Sequence, residues 1–262
     1  IKLEIKQQVA WVSLARPEKQ NALSFAMFVE LSNVIKEIKR DRSLRAVVIS
    51  GEGEHFCSGL DVAAVMKKPS NIIKLLFKWL PGNQNLAQKV VLGWQDLSIP
   101  VIAKVTGHCF GGGMQIALGA DYRIVDKNAK LAIMEARWGL CPDMGANVVL
   151  AGLMKRDQAL WLASHAGPVS AEDAKEYGLV TQLTDDVDKQ TDAVLETLMA
   201  RSPDTLAAIK RITQQSFRSQ QRKILAKETW SQIRLLMNPN TKKAIAKAKG
   251  AEDIKFNNSK SW

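Results

Sequence analysis

The chain reads as an α/β protein on three observations. Strand, strand and helix signals recur in that order through its first three quarters; a triple glycine, Gly111 to Gly113, opens a short apolar helix between strands; and beyond about residue 187 only helical periodicity remains. This is not the single alternation of strand and helix that marks a doubly wound sheet. A length of 262 residues with 46% hydrophobic and 24% charged side chains is enough to bury a sizeable core.

Each element has a local cause. Residues 2–5 and 9–14 read as strands, and Arg16-Pro17 ends the extended segment. Ser24 is placed to cap a helix whose apolar positions, Phe28, Leu31, Ile35 and Ile38, recur at spacings of three and four. Residues 45–50 form an apolar strand, a Gly-rich loop covers 51–61, and 62–96 breaks into short helices. Pro100 introduces a strand over 101–105. A helix over 112–119, strands over 122–125 and 130–134, and two helices around 145–163 follow. Ser170 and Asp173 resemble a capping box for a short helix ending at Gly178, and 179–183 is the last strand. The change to helix alone places a boundary near 197, dividing the chain into a core, 1–197, and a C-terminal helical region, 198–262.

Charge and cysteine content narrow the classes of function. The net charge is +11, and residues 201–262 hold fourteen Lys/Arg against four Asp/Glu, so the tail carries nearly all of the excess. A solvated basic helical face explains this, with a polyanionic ligand or nucleic acid as alternatives. Lys36, Lys39, Arg40, Arg42 and Arg45 add local positive charge, but no zinc finger, RNP-like motif or helix-turn-helix accompanies it, so nucleic acid is not the expected partner. Cys57, Cys109 and Cys141 cannot all pair within one chain and match no zinc spacing; His55, His108 and His165 are scattered. No metal is expected. The most apolar stretch, 101–120, is interrupted by Lys104, His108 and the glycines, and no signal-peptide pattern opens the chain, so a cytoplasmic protein without a membrane span is expected.

The chemistry concentrates in two places. Backbone without side chains at a helix N-terminus lets N–H groups approach a ligand oxygen, where the helix dipole favours negative charge, so Gly111 to Gly113 can serve as an oxyanion hole. About 20 residues on, Glu135 is flanked by Ile133, Met134 and Trp138, an apolar setting that raises a carboxyl pKa by disfavouring its charged form.

Four segments in register then carry a resemblance: Arg16-Pro17-Glu18-Lys19-Gln20-Asn21-Ala22-Leu23, Phe56-Cys57-Ser58-Gly59-Leu60-Asp61, Gly107 through Asp121, and Glu135 through Gly145. Together they resemble the crotonase (enoyl-CoA hydratase/isomerase) superfamily. The resemblance implies a spiral of strand-strand-helix repeats with two roughly perpendicular sheets, and a C-terminal helical region that forms a homotrimer or a hexamer. It also implies an acyl-CoA thioester substrate, with no separate cofactor because coenzyme A is part of the substrate, and a place in fatty-acid metabolism. By resemblance the backbone N–H groups of Leu60 and Gly112 would hold the thioester oxygen. The CoA arm would pass the Lys19 to Ala22 turn and the loop holding Ser58, Asp61, Val62 and Ala63.

The family's hydratases use two glutamates, and those positions fall here on Gln115 and Glu135. An amide has no usable basicity near neutral pH, so Gln115 can orient a water or substrate but not take a proton. Shifting a double bond asks for one base, which Glu135 supplies, and Asp143 resembles an acidic position of the dienoyl-CoA isomerases. The expected activity is therefore enoyl-CoA isomerisation, with 2-enoyl-CoA hydration or non-catalytic acyl-CoA binding as alternatives. The apolar cluster Ile72, Ile73, Leu75, Leu76, Phe77, Trp79 and Leu80 is expected to line the acyl tunnel, or else to pack into the core or a subunit interface.

Overall fold

The computed structural model describes residues 1–217 and 221–257; residues 218–220 and 258–262 of the predicted C-terminal region lie outside the described residues. In chain order the strands are β1 (Lys2–Lys6), β2 (Val9–Leu14), β3 (Ala46–Gly51), β4 (Val101–Val105), β5 (His108–Phe110), β6 (Tyr122–Asp126), β7 (Lys130–Ala132), β8 (Val169–Ser170) and β9 (Gln182–Thr184). The helices are α1 (Phe25–Arg40), α2 (Val62–Met66), α3 (Pro69–Leu76), α4 (Leu86–Gln95), α5 (Gly112–Gly119), α6 (Ala146–Leu153), α7 (Arg156–His165), α8 (Ala171–Glu176), α9 (Val187–Met199), α10 (Pro203–Phe217), α11 (Gln221–Leu236) and α12 (Pro239–Ala248).

Strands β1-β2-β3-β4-β6-β9 form one sheet, parallel throughout except for the β1–β2 hairpin, and β5-β7-β8 form a second. The central strands are apolar at nearly every position because both faces of the large sheet are covered. Val47 and Ile49 of β3 point into the main core with α1 and α4, whereas Ala46 and Val48 meet Val187, Leu195 and Leu198 of α9. Ser24 caps α1 as its sequence position suggests, accepting the Met27 N–H at 3.3 Å.

The expected elements differ from the observed ones where strands are very short. β5 and β8 have only three and two residues, too few for an alternation pattern to register. The strand expected over 130–134 stops at Ala132, because Met134 turns the chain (φ −104°, ψ 2°) into a 3-10 turn, Glu135–Trp138. The last strand is 182–184, not 179–183. Leu179 is held back by the helix C-terminus, its N–H bonding to Ala174 O at 2.9 Å beyond the left-handed Gly178.

The expected boundary near 197 falls inside α9, and the chain breaks from helix only around residues 200–202. The last three helices dock closely on the core. Lys210 of α10 inserts its ammonium against Trp94 O (3.1 Å), Ile99 O (2.8 Å) and the Asp121 carboxylate (2.7 Å), a pair whose side chains are 8% and 17% exposed. Replacing Lys210 with Met removes the cation from that carboxylate, which keeps the Val101 N–H (2.8 Å) and Gln214 Nε2 (3.3 Å), and takes a donor from each of two carbonyls. A loss of about 1–3 kcal/mol is expected from the denaturant midpoint at unchanged m.

Candidate active site

The site begins with the turn at residues 16–22. Asn21, left-handed (φ 56°) and fully buried, accepts the Arg16 N–H at 2.8 Å and donates to Glu52 O (2.9 Å) and His55 O (2.8 Å), fastening this turn to the Gly-rich loop. Sequence reading gave Asn21 no role of its own; a buried asparagine in a turn that opposes a glycine loop is the signal that could have found it.

The loop is then threaded between two partners. Leu23 N–H bonds to Gly59 O (2.7 Å) and Asp61 N–H to Leu23 O (3.0 Å) on one side; Cys57 N–H bonds to His108 O and Phe110 N–H to Cys57 O, both 2.9 Å, on the other. Cys57 thereby extends the second sheet beside β5, whose end leads directly into Gly111. Two loops distant in sequence converge as a result: a methyl group built on Gly59 would lie 3.1 Å from Phe110 O and 3.8 Å from the Gly112 nitrogen.

Two of the three glycines are required, for different reasons. Gly111 adopts φ 50° and ψ −120°, a conformation that a side chain disfavours, while Gly113 packs so closely on Cys57 that a methyl group there would sit 2.5 Å from its Cβ. Among the described residues the N–H groups of Leu60 and Gly112 donate to no protein acceptor. Both residues line a cavity of about 290 Å³ together with Glu135 and Asp143.

Glu135 opens the 3-10 turn after β7. Its Oε1 accepts Gln115 Nε2 at 2.7 Å, and its Oε2 is buried without a hydrogen-bond partner. Burial raises its pKa, against the lowering effect of backbone and Gln115 hydrogen bonds. Gln115, fully buried on α5, accepts the Met144 N–H through Oε1 at 3.1 Å, which fixes the amide so that its NH2 faces the carboxylate. Gln115 therefore stands behind Glu135 and is not part of the cavity wall. Asp143 is on the wall, 9% exposed; burial, and then the charges of Glu228 and Glu135, push its carboxyl well above the usual range.

Of the residues expected along the CoA arm, Ser58 and Val62 line this cavity. Lys19 and Ala63 are exposed nearby, and Ala22 is half-buried with its carbonyl accepting Arg16 Nη1 at 2.9 Å. The Asp61 side chain is engaged in the scaffold: Oδ1 caps α2 by accepting the Ala64 N–H at 3.0 Å, and Oδ2 pairs with Arg16 at 3.1 Å. The apolar cluster of 72–80 divides. Ile72, Leu75 and Leu76 face the cavity, whereas Ile73, Phe77, Trp79 and Leu80 are exposed.

Two features were not anticipated. The C-terminal helices close the cavity, with Gln232 and Leu236 of α11 and Thr241 and Ile245 of α12 on its wall. Behind them Glu228 is 5% exposed and accepts four hydrogen bonds: from Gln88 Nε2 (3.1 Å), Gly145 N–H (3.0 Å), Asn147 N–H (3.3 Å) and Asn147 Nδ2 (3.0 Å). Among the described residues no cluster of His, Cys, Asp and Glu is arranged to hold a metal ion, and no helix is long and apolar enough to cross a membrane.

Comparison with known proteins gives a consistent picture. The family model for enoyl-CoA hydratase/isomerase matches residues 4–256. The chain is 31% identical to a 1,2-epoxyphenylacetyl-CoA isomerase of Escherichia coli over 70% of this chain and 68% of that one. It is 35% identical to a short-chain-enoyl-CoA hydratase of Clostridium acetobutylicum over the same shares. In fold it is similar to an enoyl-CoA hydratase/isomerase from Mycobacterium paratuberculosis, with a TM-score of 0.85 over 94% of this chain and 97% of that one at 21% identity.

Proposed function

The chain belongs to the enoyl-CoA hydratase/isomerase family, and from that premise we propose that it shifts the double bond of an enoyl-CoA through an enolate. The observation that carries this reading is the pairing of Glu135 on the cavity wall with Gln115 behind it, which leaves one carboxylate at the two positions where two-carboxylate hydration would need both. In a 3-enoyl thioester the Glu135 carboxylate takes a proton from C2. The electron pair moves onto the thioester oxygen as a dienolate, which the Leu60 and Gly112 N–H groups hold, and the newly protonated Glu135 returns the proton at C4 to leave the 2-enoyl product. Each such N–H is worth about 2.7–4 kcal/mol in comparable sites. Asp143, on the same wall with its carboxyl pKa raised by burial, is suited to exchange a proton further along a 3,5-dienoyl chain.

The CoA arm leaves past Ser58 and Val62, with Lys19 outside as a phosphate partner. Ile209, Ile212, Trp230 and Met237, exposed on and beside α10 and α11, support the reading of 198–262 as a trimerisation region.

The test is to offer 3-enoyl, 3,5-dienoyl and 2-enoyl thioesters of one chain length. Double-bond migration should dominate, and faster hydration of the 2-enoyl ester would overturn the reading. Gln115→Leu should lower kcat and move the acidic limb of kcat/KM to higher pH. It removes a hydrogen bond that favours the charged Glu135, which must be ionised to act, and so raises its pKa. An unmoved limb would mean that Gln115 does not position the base.

A further inference from the structure

One polar group on the cavity wall has no part in the chemistry above. Gln232 is 6% exposed, and its amide oxygen accepts the Cys141 backbone N–H at 3.2 Å, with Cys141 Sγ at 3.4 Å. A backbone N–H at that distance fixes which end of the amide is the oxygen, because exchanging the two ends would set donor against donor. The NH2 must then point elsewhere, and it donates to no group among the described residues. On the same wall Leu75, Leu236 and Ile245 have no side-chain acceptor to offer, and no hydrogen bond joins Gln232 to Glu135 or Asp143. Thr241 supplies no competing donor, since its hydroxyl proton is directed to Leu235 O (2.6 Å) or Gly139 O (3.1 Å).

An acyl chain that displaced water from the cavity would leave this NH2 without an acceptor unless the chain supplied one, so a pre-oriented NH2 on the wall marks where a ligand acceptor sits. We infer that the acyl group of the substrate carries an uncharged oxygen, a hydroxyl or a carbonyl, that accepts the Gln232 NH2, making this an enzyme for oxygenated acyl-CoA esters. The inference rests on the acyl-CoA reading above and narrows its substrate class. An anionic tail does not fit, because the carboxyl groups of Glu135 and Asp143 share this wall. Gln232 is thereby a specificity-determining residue that takes no part in the proton transfer.

The experiment compares two series of enoyl-CoA esters of equal length in the full chain, one with plain alkyl tails and one with a hydroxyl or keto oxygen stepped along the tail, and then repeats the best pair with Gln232→Met. At one position the oxygenated ester should exceed its alkyl partner about tenfold or more in kcat/KM, and the ratio should fall toward one in the variant. The wild-type comparison decides the matter by itself should the variant not fold. Turnover of alkyl esters with no preference at any position, or a preference that survives the substitution, overturns the inference while leaving the double-bond shift intact. No turnover and no calorimetric binding of either series would instead sink the acyl-CoA reading, and the inference with it.

Discussion

Replacing Glu135 with Gln should lower turnover by about 10²–10⁴-fold while CoA-ester binding stays within a few fold. The two side chains have nearly the same shape, so the cavity wall is preserved. Gln115 Nε2, oriented because Oε1 on its far side accepts the Met144 N–H, still needs an acceptor at 2.7 Å, and the new amide meets that need with its oxygen. Its NH2 then occupies the place of the unpartnered Oε2, putting a weak donor where the base stood. An interaction needed only for proton transfer is removed, so kcat should carry the loss and KM should not. Steady-state kinetics with calorimetry on a non-reacting thioester separates the two. Appreciable residual turnover would assign the base elsewhere, with Asp143 the first residue to test. In the unaltered enzyme the same burial that raises the Glu135 pKa places the acidic limb of the rate profile above the ordinary glutamate value of 4.5, with activity rising as pH increases through it.

The parts of this molecule that sequence reading recovers are those whose chemistry depends on residue type at short range. Gly111 to Gly113, the Phe56 to Asp61 loop and Glu135 each announce themselves within a few residues, and their convergence follows once the second sheet joins Cys57 to β5. Short strands and tertiary placement were less accessible. The inward stripe of α11 is Leu225, Glu228, Thr229 and Gln232, which has helical spacing but is three-quarters polar, so a search for apolar periodicity passes over it and reads a basic, solvated helix. One clue was present: Glu228 is the only acidic residue between Asp204 and Glu252 in a strongly basic tail. Gln115 shows the opposite case. Sequence reading sets it beside Glu135 and the structure joins the two by a hydrogen bond, but only the Met144 contact reveals that both ends of its amide are engaged and that it braces the acid from behind.

Glu228→Leu should be strongly destabilising, at about 3–5 kcal/mol, because it breaks a buried hydrogen-bond network. Leucine fills most of the space but accepts nothing, stranding the Gln88 amide, both Asn147 donors and the Gly145 N–H, each worth about 1–3 kcal/mol when left buried and unpaired, less whatever local rearrangement recovers. Two of those donors are backbone amides at the start of α6, where a carboxylate also complements the helix dipole. Glu228→Gln should cost less, because one amide oxygen still serves half of the cluster. The damage should reach the site through a short path: Gly145 follows Met144, whose N–H orients Gln115, and Asp143 precedes it on the cavity wall. Activity at temperatures where the variant remains folded should therefore fall as well, mainly in kcat. Urea unfolding of the three proteins at equal m, with kinetics alongside, checks both parts; a loss under about 1 kcal/mol for Glu228→Leu would show that water replaces the carboxylate and that α11 does not hold this loop in place.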